Sequence, residues 1–321
     1  MQNAAAIPLP VLPEELVGEI LLRLPVRSLL QFKCVCKSWK TLISGSQFPL
    51  FKRPSTPVKP VTFGYMEEML DYIIGSCNGL LCMLGTYPHY VGLYNPSLQF
   101  KSKISLVPVS VLEQDWFINH CGFGYDKVND KYKVLVVMER FFHVSPMLTK
   151  IYTFGQDDSW KTIPNSPYNN NIKTLGKFVS GTLNWLVSYP NTFVSFDIEK
   201  ETYRKLLLPQ NVGVKTELSV LSDCLCVSTS ENVHWVLWMM KEYGVVESWT
   251  KFIVIPYHKL LHIFLVEPLF ISQNGVLMLL MGRSKLILYN TNTGVALDPL
   301  ITMELGFSSH IHCESLVSLS C

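Results

Sequence analysis

The fold is decided by a stretch that runs from Leu12 to Ser44 and reads LPEELVGEILLRLPVRSLLQFKCVCKSWKTLIS. Apolar residues such as Leu16 and Ile20 recur every four residues in its first part, and this spacing predicts a helix with one apolar side. Pro25 ends that helix, and two shorter helical patterns follow it. The stretch therefore predicts three short helices, whereas the rest of the chain carries β-type patterns.

A unit of three short helices is a poor independent core, because it buries too little apolar surface to offset the entropy of its chain. Two interpretations follow. The helices could form a cap that packs on the rest of the chain, or they could form a docking module that a partner protein completes. The pattern by itself leaves both open.

Three segments of this stretch carry a resemblance to a known family: LPEEL at 12–16, ILLRLPVRSLL at 20–30 and FKCVCKSW at 32–39. They closely resemble the F-box, a motif that docks onto the Skp-type adaptor of a cullin-based ubiquitin ligase. The resemblance implies a non-catalytic receptor that brings a substrate to the ligase. By likeness to the F-box pattern, the expected adaptor contacts are Leu12, Pro13, Leu16, Ile20, Leu24, Pro25, Val35, Cys36, Trp39 and Leu42.

Composition and charge narrow the class of partner. Of the 321 residues, 48% are apolar and 16% are charged, which is typical of an ordered chain with a large core. Residues 1–60 carry eight Lys or Arg and three Glu, a net charge of +5. The remaining residues carry 19 Lys or Arg and 22 Asp or Glu, a net charge of −3. A basic module suits an acidic partner, and the resemblance implies that adaptors of this kind are acidic. A nucleic-acid patch is the competing interpretation, but the segment has no basic run, so no nucleic acid is expected.

The chain is expected to work in the cytosol or the nucleus, without a membrane partner. Residues 1–12 lack the basic and apolar regions of a signal peptide. The longest apolar runs, such as 276–281, are strand-length and far below the roughly 20 residues of a membrane helix. The nine cysteines are scattered, which indicates reduced thiols.

A proline-dense segment separates the helical stretch from the rest. Residues 52–60 read KRPSTPVKP, and three prolines in nine residues predict a stiff linker. We therefore expect a flexible N-terminus at 1–11, an F-box at 12–51, this linker, and a β domain at 61–321.

The β domain repeats a unit of short strands. A turn followed by an apolar strand recurs, and about a dozen residues later comes a strand that ends in an aromatic residue, often followed by Asn or Asp. Those aromatics, Tyr94, Tyr152, Phe196, Trp238 and Tyr289, are 58, 44, 42 and 51 residues apart. This period predicts a propeller-like ring of about five to six irregular blades, closed by a strand at 314–319 that pairs with the segment 60–65. The expected fold class is α+β and multidomain, and an irregular β-sandwich is the alternative.

This second region also resembles a known family, the plant F-box proteins with an F-box-associated interaction domain, often labelled F-box/kelch-repeat. Segments that carry the resemblance include GSCNGLL at 75–81, GFGYD at 122–126, DKYKV at 130–134 and GTLNW at 181–185. The paired glycines of a kelch blade are missing, so the resemblance implies a propeller-like ring without true kelch blades. The ring would recognise the substrate.

Candidate metal and catalytic sites are weak. Cys34 and Cys36, like Cys224 and Cys226, are separated by one residue, whereas zinc knuckles have two. The pair Gly122-x-Gly124 lacks the third glycine and the following helix of a phosphate loop. No catalytic residue, metal or cofactor is therefore expected.

The target protein is expected to bind aromatic residues in loops, because exposed aromatics on a rigid scaffold commonly anchor protein interfaces. The sequence points to a substrate receptor of an SCF-type ligase. The alternatives are a propeller enzyme or carbohydrate-binding module with an incidental helical cap, and an adaptor-binding protein that acts without the cullin. The candidate target contacts are Tyr87, His89, Tyr90, Phe141, Phe142, His143 and Tyr168.

Overall fold

The structure is a computed structural model. It describes residues 13–44, 51–52, 72–86, 89–108, 116–140, 147–155, 159–168, 172, 175–187, 191–210, 212–213, 216–260, 266–282, 285–296, 301–302 and 314–317. The predicted flexible N-terminus and nearly all of the predicted linker lie outside these residues, so both stay predictions.

The three predicted helices are present, and we call residues 13–44 the helical unit. They are α1 (Glu14–Arg23), α2 (Val26–Phe32) and α3 (Lys37–Ser44). Pro13 and Pro25 stand immediately before α1 and α2, where a proline costs no helical hydrogen bond. Within the described part of the chain, no helix has the length and apolar character needed to cross a membrane.

The helical unit has a small core of its own. Leu21, Val26, Leu29 and Ile43 are its buried side chains, and Leu316, nearly three hundred residues away in the sequence, is buried among them. The helices therefore do not close their core alone, as their size predicts.

Besides one two-stranded sheet, the described residues after the helices form five larger antiparallel sheets, which confirms the predicted propeller of about five to six blades and gives it five. The first four strands of each blade pair in chain order, and where a fifth strand is present it pairs with the third. Blade 1 contains β2 (Tyr72–Cys77), β3 (Leu80–Thr86), β4 (His89–Asn95), β5 (Phe100–Lys101) and β6 (Ser105–Leu106), and follows the short strand β1 (Phe51–Lys52). Blade 2 contains β7 (Trp116–Asp126), β8 (Lys131–Arg140), β9 (Leu148–Thr153) and β10 (Ser159–Ile163), and blade 3 contains β11 (Lys177–Val179), β12 (Thr182–Leu186), β13 (Thr192–Asp197) and β14 (Thr202–Leu207). Blade 4 contains β15 (Glu217–Leu221), β16 (Cys224–Glu231), β17 (His234–Met240) and β18 (Trp249–Pro256), and blade 5 contains β19 (Val266–Ile271), β20 (Val276–Met281), β21 (Lys285–Asn290), β22 (Val295–Ala296) and β23 (Ile301–Thr302), before the short strand β24 (Glu314–Ser315).

The repeating aromatics predicted from the sequence lie in the third strand of each blade, and the apolar strand before them is the second. The sequence pattern missed the first strand of every blade as a member of the repeat. First strands of successive blades contact one another in the order β2, β7, β11, β15 and β19, so they form the inside of the ring.

Four turns share one design, which explains why Asn or Asp follows a strand so often. A side-chain oxygen at the strand end accepts hydrogen bonds from the second and third backbone amides after it, and the fourth residue has a positive φ. The pairs of capping and positive-φ residues are Asn95 with Gln99, Asp126 with Asp130, Asp197 with Glu201 and Asn290 with Gly294.

The strand order gives the ring two ends. Connections between first and second strands and between third and fourth strands, such as 78–79 and 96–99, lie at one end, which we call the turn end. Connections between second and third strands and between blades, such as 164–176 and 208–216, lie at the other, which we call the link end.

The segment GFGYD is a packing device between blades. A methyl group added at Gly124 would overlap the side chains of Phe178 and Ile198 in blade 3, and one added at Gly122 would lie 3.0 Å from Leu183. Phe123 points the other way and stacks on Tyr132, with ring centroids 5.8 Å apart. The two glycines thus sit in a strand and let blade 3 approach closely.

Of the strand expected at 314–319, Glu314–Ser315 is present as β24, and its partner among the described residues is β1. Phe51 pairs with Ser315 and Lys52 with Glu314, so β24 pairs with the residues that follow the helical unit. The segment 60–65, the expected partner, lies outside the described residues. The pairing therefore joins the chain segment that follows the helical unit to the chain segment that follows blade 5.

Candidate docking surface

Helix α1 presents two apolar sides with different surroundings. Val17 and Leu21 face the core of the helical unit, and Leu21 is 1% exposed. Leu16 and Ile20 lie one turn apart on another side and are 47% and 49% exposed. The single stripe expected from the sequence is therefore divided between a side that packs internally and a side that faces solvent.

Further exposed apolar side chains accompany Leu16 and Ile20. Leu22 and Val35 are 43% and 62% exposed, and Pro13 and Pro25 are exposed as well. Exposed apolar residues concentrated in so short a unit are candidate docking residues. We call these six residues, Pro13, Leu16, Ile20, Leu22, Pro25 and Val35, the exposed apolar set.

The other expected adaptor contacts occupy different environments. Leu24, Trp39 and Leu42 are half-buried and pack against the helical core, where the ring of Trp39 meets Phe32 edge-on at 5.2 Å. Leu12 lies outside the described residues. Leu22 was not among the expected adaptor contacts, because it lies two residues after Ile20 and does not follow the four-residue spacing.

The exposed thiol of Cys36 lies directly before α3. A hydrogen bond with Ser38 Oγ, 3.2 Å away, and the backbone amide of Trp39 lower the pKa of this thiol. Cys34, two residues earlier, is also exposed. Both thiols therefore lie beside Val35 of the exposed apolar set and can report on whether that surface is covered.

The link end of blades 1 and 2 has a half-buried aromatic and cationic cluster. The guanidinium of Arg140 lies 4.9 Å from the ring centre of Trp116, and Nε2 of His89 donates to the Trp116 carbonyl at 3.3 Å. A guanidinium over an indole is an arrangement common at protein interfaces. Trp116 and Arg140 were not predicted, because nothing in the sequence shows that the two positions are opposite each other in the sheet.

Two of the predicted target contacts, His89 and Tyr168, lie at this end. His89 begins β4, and Tyr168 lies in the turn after β10. Tyr90 was expected in a loop and is instead a strand residue that is 5% exposed, because its ring packs over Gly85. Tyr87, Phe141, Phe142 and His143 lie outside the described residues, in the connections from β3 to β4 and from β8 to β9. Target contact by any of these residues stays a prediction.

Three hydrogen-bonded polar side chains lie in β7 and β8, close to the link end. Asn119 Nδ2 donates to Glu139 at 2.8 Å, and Nδ1 of His120 donates to Asn119 Oδ1 at 2.9 Å. His120 is 1% exposed, and burial lowers its pKa to about 4. Its ring packs edge-on against Trp185, with centroids 5.5 Å apart. A neutral imidazole held between two strands and an indole serves packing, since no substrate can reach it.

Two surfaces therefore lie at opposite ends of blade 1. The helical unit contacts the turn end, because Leu98 in the turn after β4 packs against its core. His89, at the start of the same strand, marks the link end.

Comparison with known proteins covers both parts of the chain. Residues 9–51 match the family described as F-box domain, and residues 51–306 match the family described as F-box associated beta propeller domain. An F-box/kelch-repeat protein of Arabidopsis thaliana is 31% identical, with an alignment that covers 88% of this chain and 88% of that protein. A second F-box protein of Arabidopsis thaliana is 26% identical and covers 90% and 85%, and the F-box protein CPR1 of the same plant is 24% identical and covers 87% and 82%. Among solved structures, a chain of a nidogen/laminin complex aligns over 71% of this chain and 79% of its own with 11% identity and a TM-score of 0.41, which is too low to inform on function.

Proposed function

Because the chain belongs to the F-box proteins that carry an F-box associated β-propeller domain, we propose that it is the substrate-recognition subunit of an SCF (Skp–cullin–F-box) ubiquitin ligase. The helical unit docks onto the Skp-type adaptor and through it onto the cullin, and the propeller holds a target protein. In this proposal the chain itself takes no part in the covalent transfer of ubiquitin. It acts as a non-catalytic receptor that raises the concentration of the target near the ubiquitin-transferring enzyme.

The observation that carries this proposal is the exposed side of α1. Leu16 and Ile20 are about half exposed while Leu21, on the adjacent side, is buried. A helix that keeps one apolar side for its own core and a second for solvent is suited to lie in the groove of a partner. Lys33 directly follows α2, and Lys37 and Lys40 lie in α3. These three positive charges favour an acidic partner.

The target would bind at the link end, away from the helical unit. The longest connections of the described strands lie there, and long connections on a rigid scaffold are the usual place for recognition. The cation–π pair of Trp116 and Arg140 supports this placement. The proposal places the complex in the cytosol or nucleus, in keeping with the free thiols of the described cysteines.

The decisive experiment measures the affinity of the purified chain for a purified Skp-type adaptor by calorimetry. The double variant Leu16→Ala with Ile20→Ala is expected to weaken binding roughly a hundredfold, because two partly exposed anchors of an interface are truncated. The matched control is Phe252→Ala with Val254→Ala, which removes two apolar side chains of similar exposure, 40% and 46%, from strand β18. Equal affinity of both double variants would contradict the proposal. Trp39→Ala is less suitable, because it also removes a contact with Phe32 inside the helical core.

Thiol protection gives a second, independent test. N-ethylmaleimide should modify Cys34 and Cys36 rapidly in the free chain and at least about tenfold more slowly when the adaptor is bound, since a standard interface would cover the exposed apolar set. Cys224, in blade 4, should react at the same rate in both states. Unchanged modification of Cys36 in the complex would place the adaptor elsewhere.

Co-purification separates a ligase subunit from an adaptor-binding protein that acts without the cullin. The wild-type chain should recover both the adaptor and the cullin, and the Leu16→Ala with Ile20→Ala variant should recover neither. Recovery of the adaptor without the cullin would favour the alternative.

A further inference from the structure

Residues 314–317 contact both parts of the molecule, and we call them the anchor segment. The backbone of β24 pairs with Phe51 and Lys52, which follow the helical unit by seven residues. Leu316 is 7% exposed and packs among the buried residues of the helices. The next residue, Val317, packs against the core between blades 1 and 2. Two neighbouring side chains thus enter two different cores.

One buried side chain holds the anchor segment in place. Asn95, at the end of β4, is fully buried, and its Nδ2 donates to the carbonyl oxygens of Ser315 at 3.1 Å and Val317 at 2.8 Å. These two bonds flank Leu316 and therefore fix the direction in which its side chain points. A third bond runs from the Ser315 amide to Ser97 Oγ at 3.1 Å.

The same turn also touches the helical unit. Oδ1 of Asn95 caps the turn 96–99, and Leu98 of this turn packs against the helical core. One side chain therefore uses its oxygen to shape a turn that contacts the helices and its nitrogen to hold a segment that enters them. Connected parts of a chain usually move relative to each other unless their interface is well packed, and here the two parts share a core.

We propose that Asn95 and the anchor segment form a positioning device, which holds the helical unit in one orientation on the turn end of blade 1. The inference rests on the proposed function in that a fixed orientation would set where a target on the link end lies relative to the adaptor. The device itself is a property of the free chain and can be tested without adaptor or target.

The test compares Asn95→Asp with Asn290→Asp. Asp occupies the same turn position naturally at Asp126 and Asp197, so either substitution keeps the capping oxygen of its turn. Only Asn95 donates to the anchor segment, and a carboxylate there would face two carbonyl oxygens that it cannot bond. The pair of variants therefore separates the anchoring role of Asn95 from its role in the turn.

The measurement is the distance distribution between spin labels, by pulsed EPR on the chain alone. Labels are introduced as unnatural amino acids at the exposed positions Lys40 in α3 and Lys205 in β14, so that native thiols do not interfere. The wild type and Asn290→Asp should give one narrow distribution. Asn95→Asp should roughly double its width, because the anchor segment then loses the two hydrogen bonds that hold Leu316 in the helical core.

Leu316→Ala provides a second variant that leaves every hydrogen bond of Asn95 in place, and it should also broaden the distribution. Near-ultraviolet circular dichroism verifies that the propeller stays folded, and if Asn95→Asp unfolds it, the result from Leu316→Ala decides. A narrow, unchanged distribution in the folded variants would overturn the positioning role. Adaptor binding is measured separately, so failure of the proposed function would leave this result standing.

Discussion

The helical unit and blade 3 both contain apolar side chains that need to be covered, and they differ in how completely they are covered. Strands β12 and β13 of blade 3 bury nearly all of their residues, because blades 2 and 4 cover its two faces. Helix α1 buries one side against its own unit and the anchor segment and leaves Leu16 and Ile20 in solvent. A ring provides every repeat with two neighbours, whereas three helices at the edge of a ring have one, and the uncovered side is available to another protein.

The comparison also shows which part depends on the other. The core of the helical unit includes Leu98 and Leu316, which the propeller holds in place. No helical residue is among the buried residues of the propeller clusters described here. Damage to the propeller should therefore spread to the helices, and damage to the helices should stay local.

The largest effect is expected for Asp126→Ala. Lys133 is almost buried and lies 2.9 Å from Asp126, and loss of the carboxylate leaves its ammonium with the Ile198 carbonyl at 3.0 Å and the longer ion pair with Glu201 at 3.7 Å. We expect a loss of about 3–5 kcal/mol in the free energy of unfolding, measured by urea denaturation. Helix and sheet signals should be lost together.

Asp197→Ala is the matched control, because Asp197 caps the same kind of turn but its ion pair, among the described residues, is with the exposed Lys200. Its cost should be about 1 kcal/mol. Similar costs for both variants would show that the turn and not the buried ion pair stabilises the blade interface.

The next effect is expected in the helical core. Leu21→Ala removes a buried side chain and should cost the helical unit about 3 kcal/mol. Leu16→Ala, on the exposed side of the same helix, should change its stability by less than about 0.5 kcal/mol. Hydrogen exchange of α1 amides measures both, and the amides of β12 should keep their protection. Loss of that protection in Leu21→Ala would contradict the one-way dependence.

A pH effect of about 2–3 kcal/mol is expected from His120. Burial lowers the pKa of its imidazole to about 4, below the ordinary value of 6.5 that applies in the unfolded chain. Between these values the unfolded state binds more protons, so the free energy of unfolding falls as the pH falls from 6.5 to 4. His120→Gln should show a shallower decrease over this range in urea denaturation. An identical pH profile for wild type and variant would mean that another group causes it.

The smallest stability changes are expected for the substitution of glycine by alanine, made once in the propeller and once in the helical unit. Gly124→Ala should destabilise the propeller by about 2 kcal/mol, because its new methyl group overlaps Phe178 and Ile198. Gly18→Ala should stabilise α1 by about 0.5–1 kcal/mol, because nothing lies near the added methyl group and alanine favours helix. Melting curves followed at a helical wavelength measure the second change. Destabilisation by Gly18→Ala would indicate a contact of α1 that the described residues do not contain.

Much of the architecture was predictable from the sequence because it is local. Helix α1 follows from apolar residues at a spacing of four, and Pro25 separates it from α2. The second and third strands of the blades follow from apolar runs bounded by turn residues. The first strands β7, with Gly122 and Gly124, and β2, with Gly75, were harder to recognise because glycines obscure the alternation that marks a strand.

The docking surface was predictable in part. Of the residues expected to contact an adaptor, Leu16, Ile20 and Val35 are exposed, whereas Trp39 and Leu42 pack partly in the internal core, and the contact itself stays a prediction. Periodicity shows which residues share a side of a helix. It does not show which of two apolar sides another element will cover.

The sequence by itself determined the three helices, the propeller repeat and the family, since each depends on residues within reach of one another along the chain. Only the tertiary structure decided what completes the helical core. Leu316 and Asn95 are more than two hundred residues apart, and no local pattern links them. A contact between distant segments depends on the closed geometry of the ring, and that closure both holds the helices and leaves their outer side exposed.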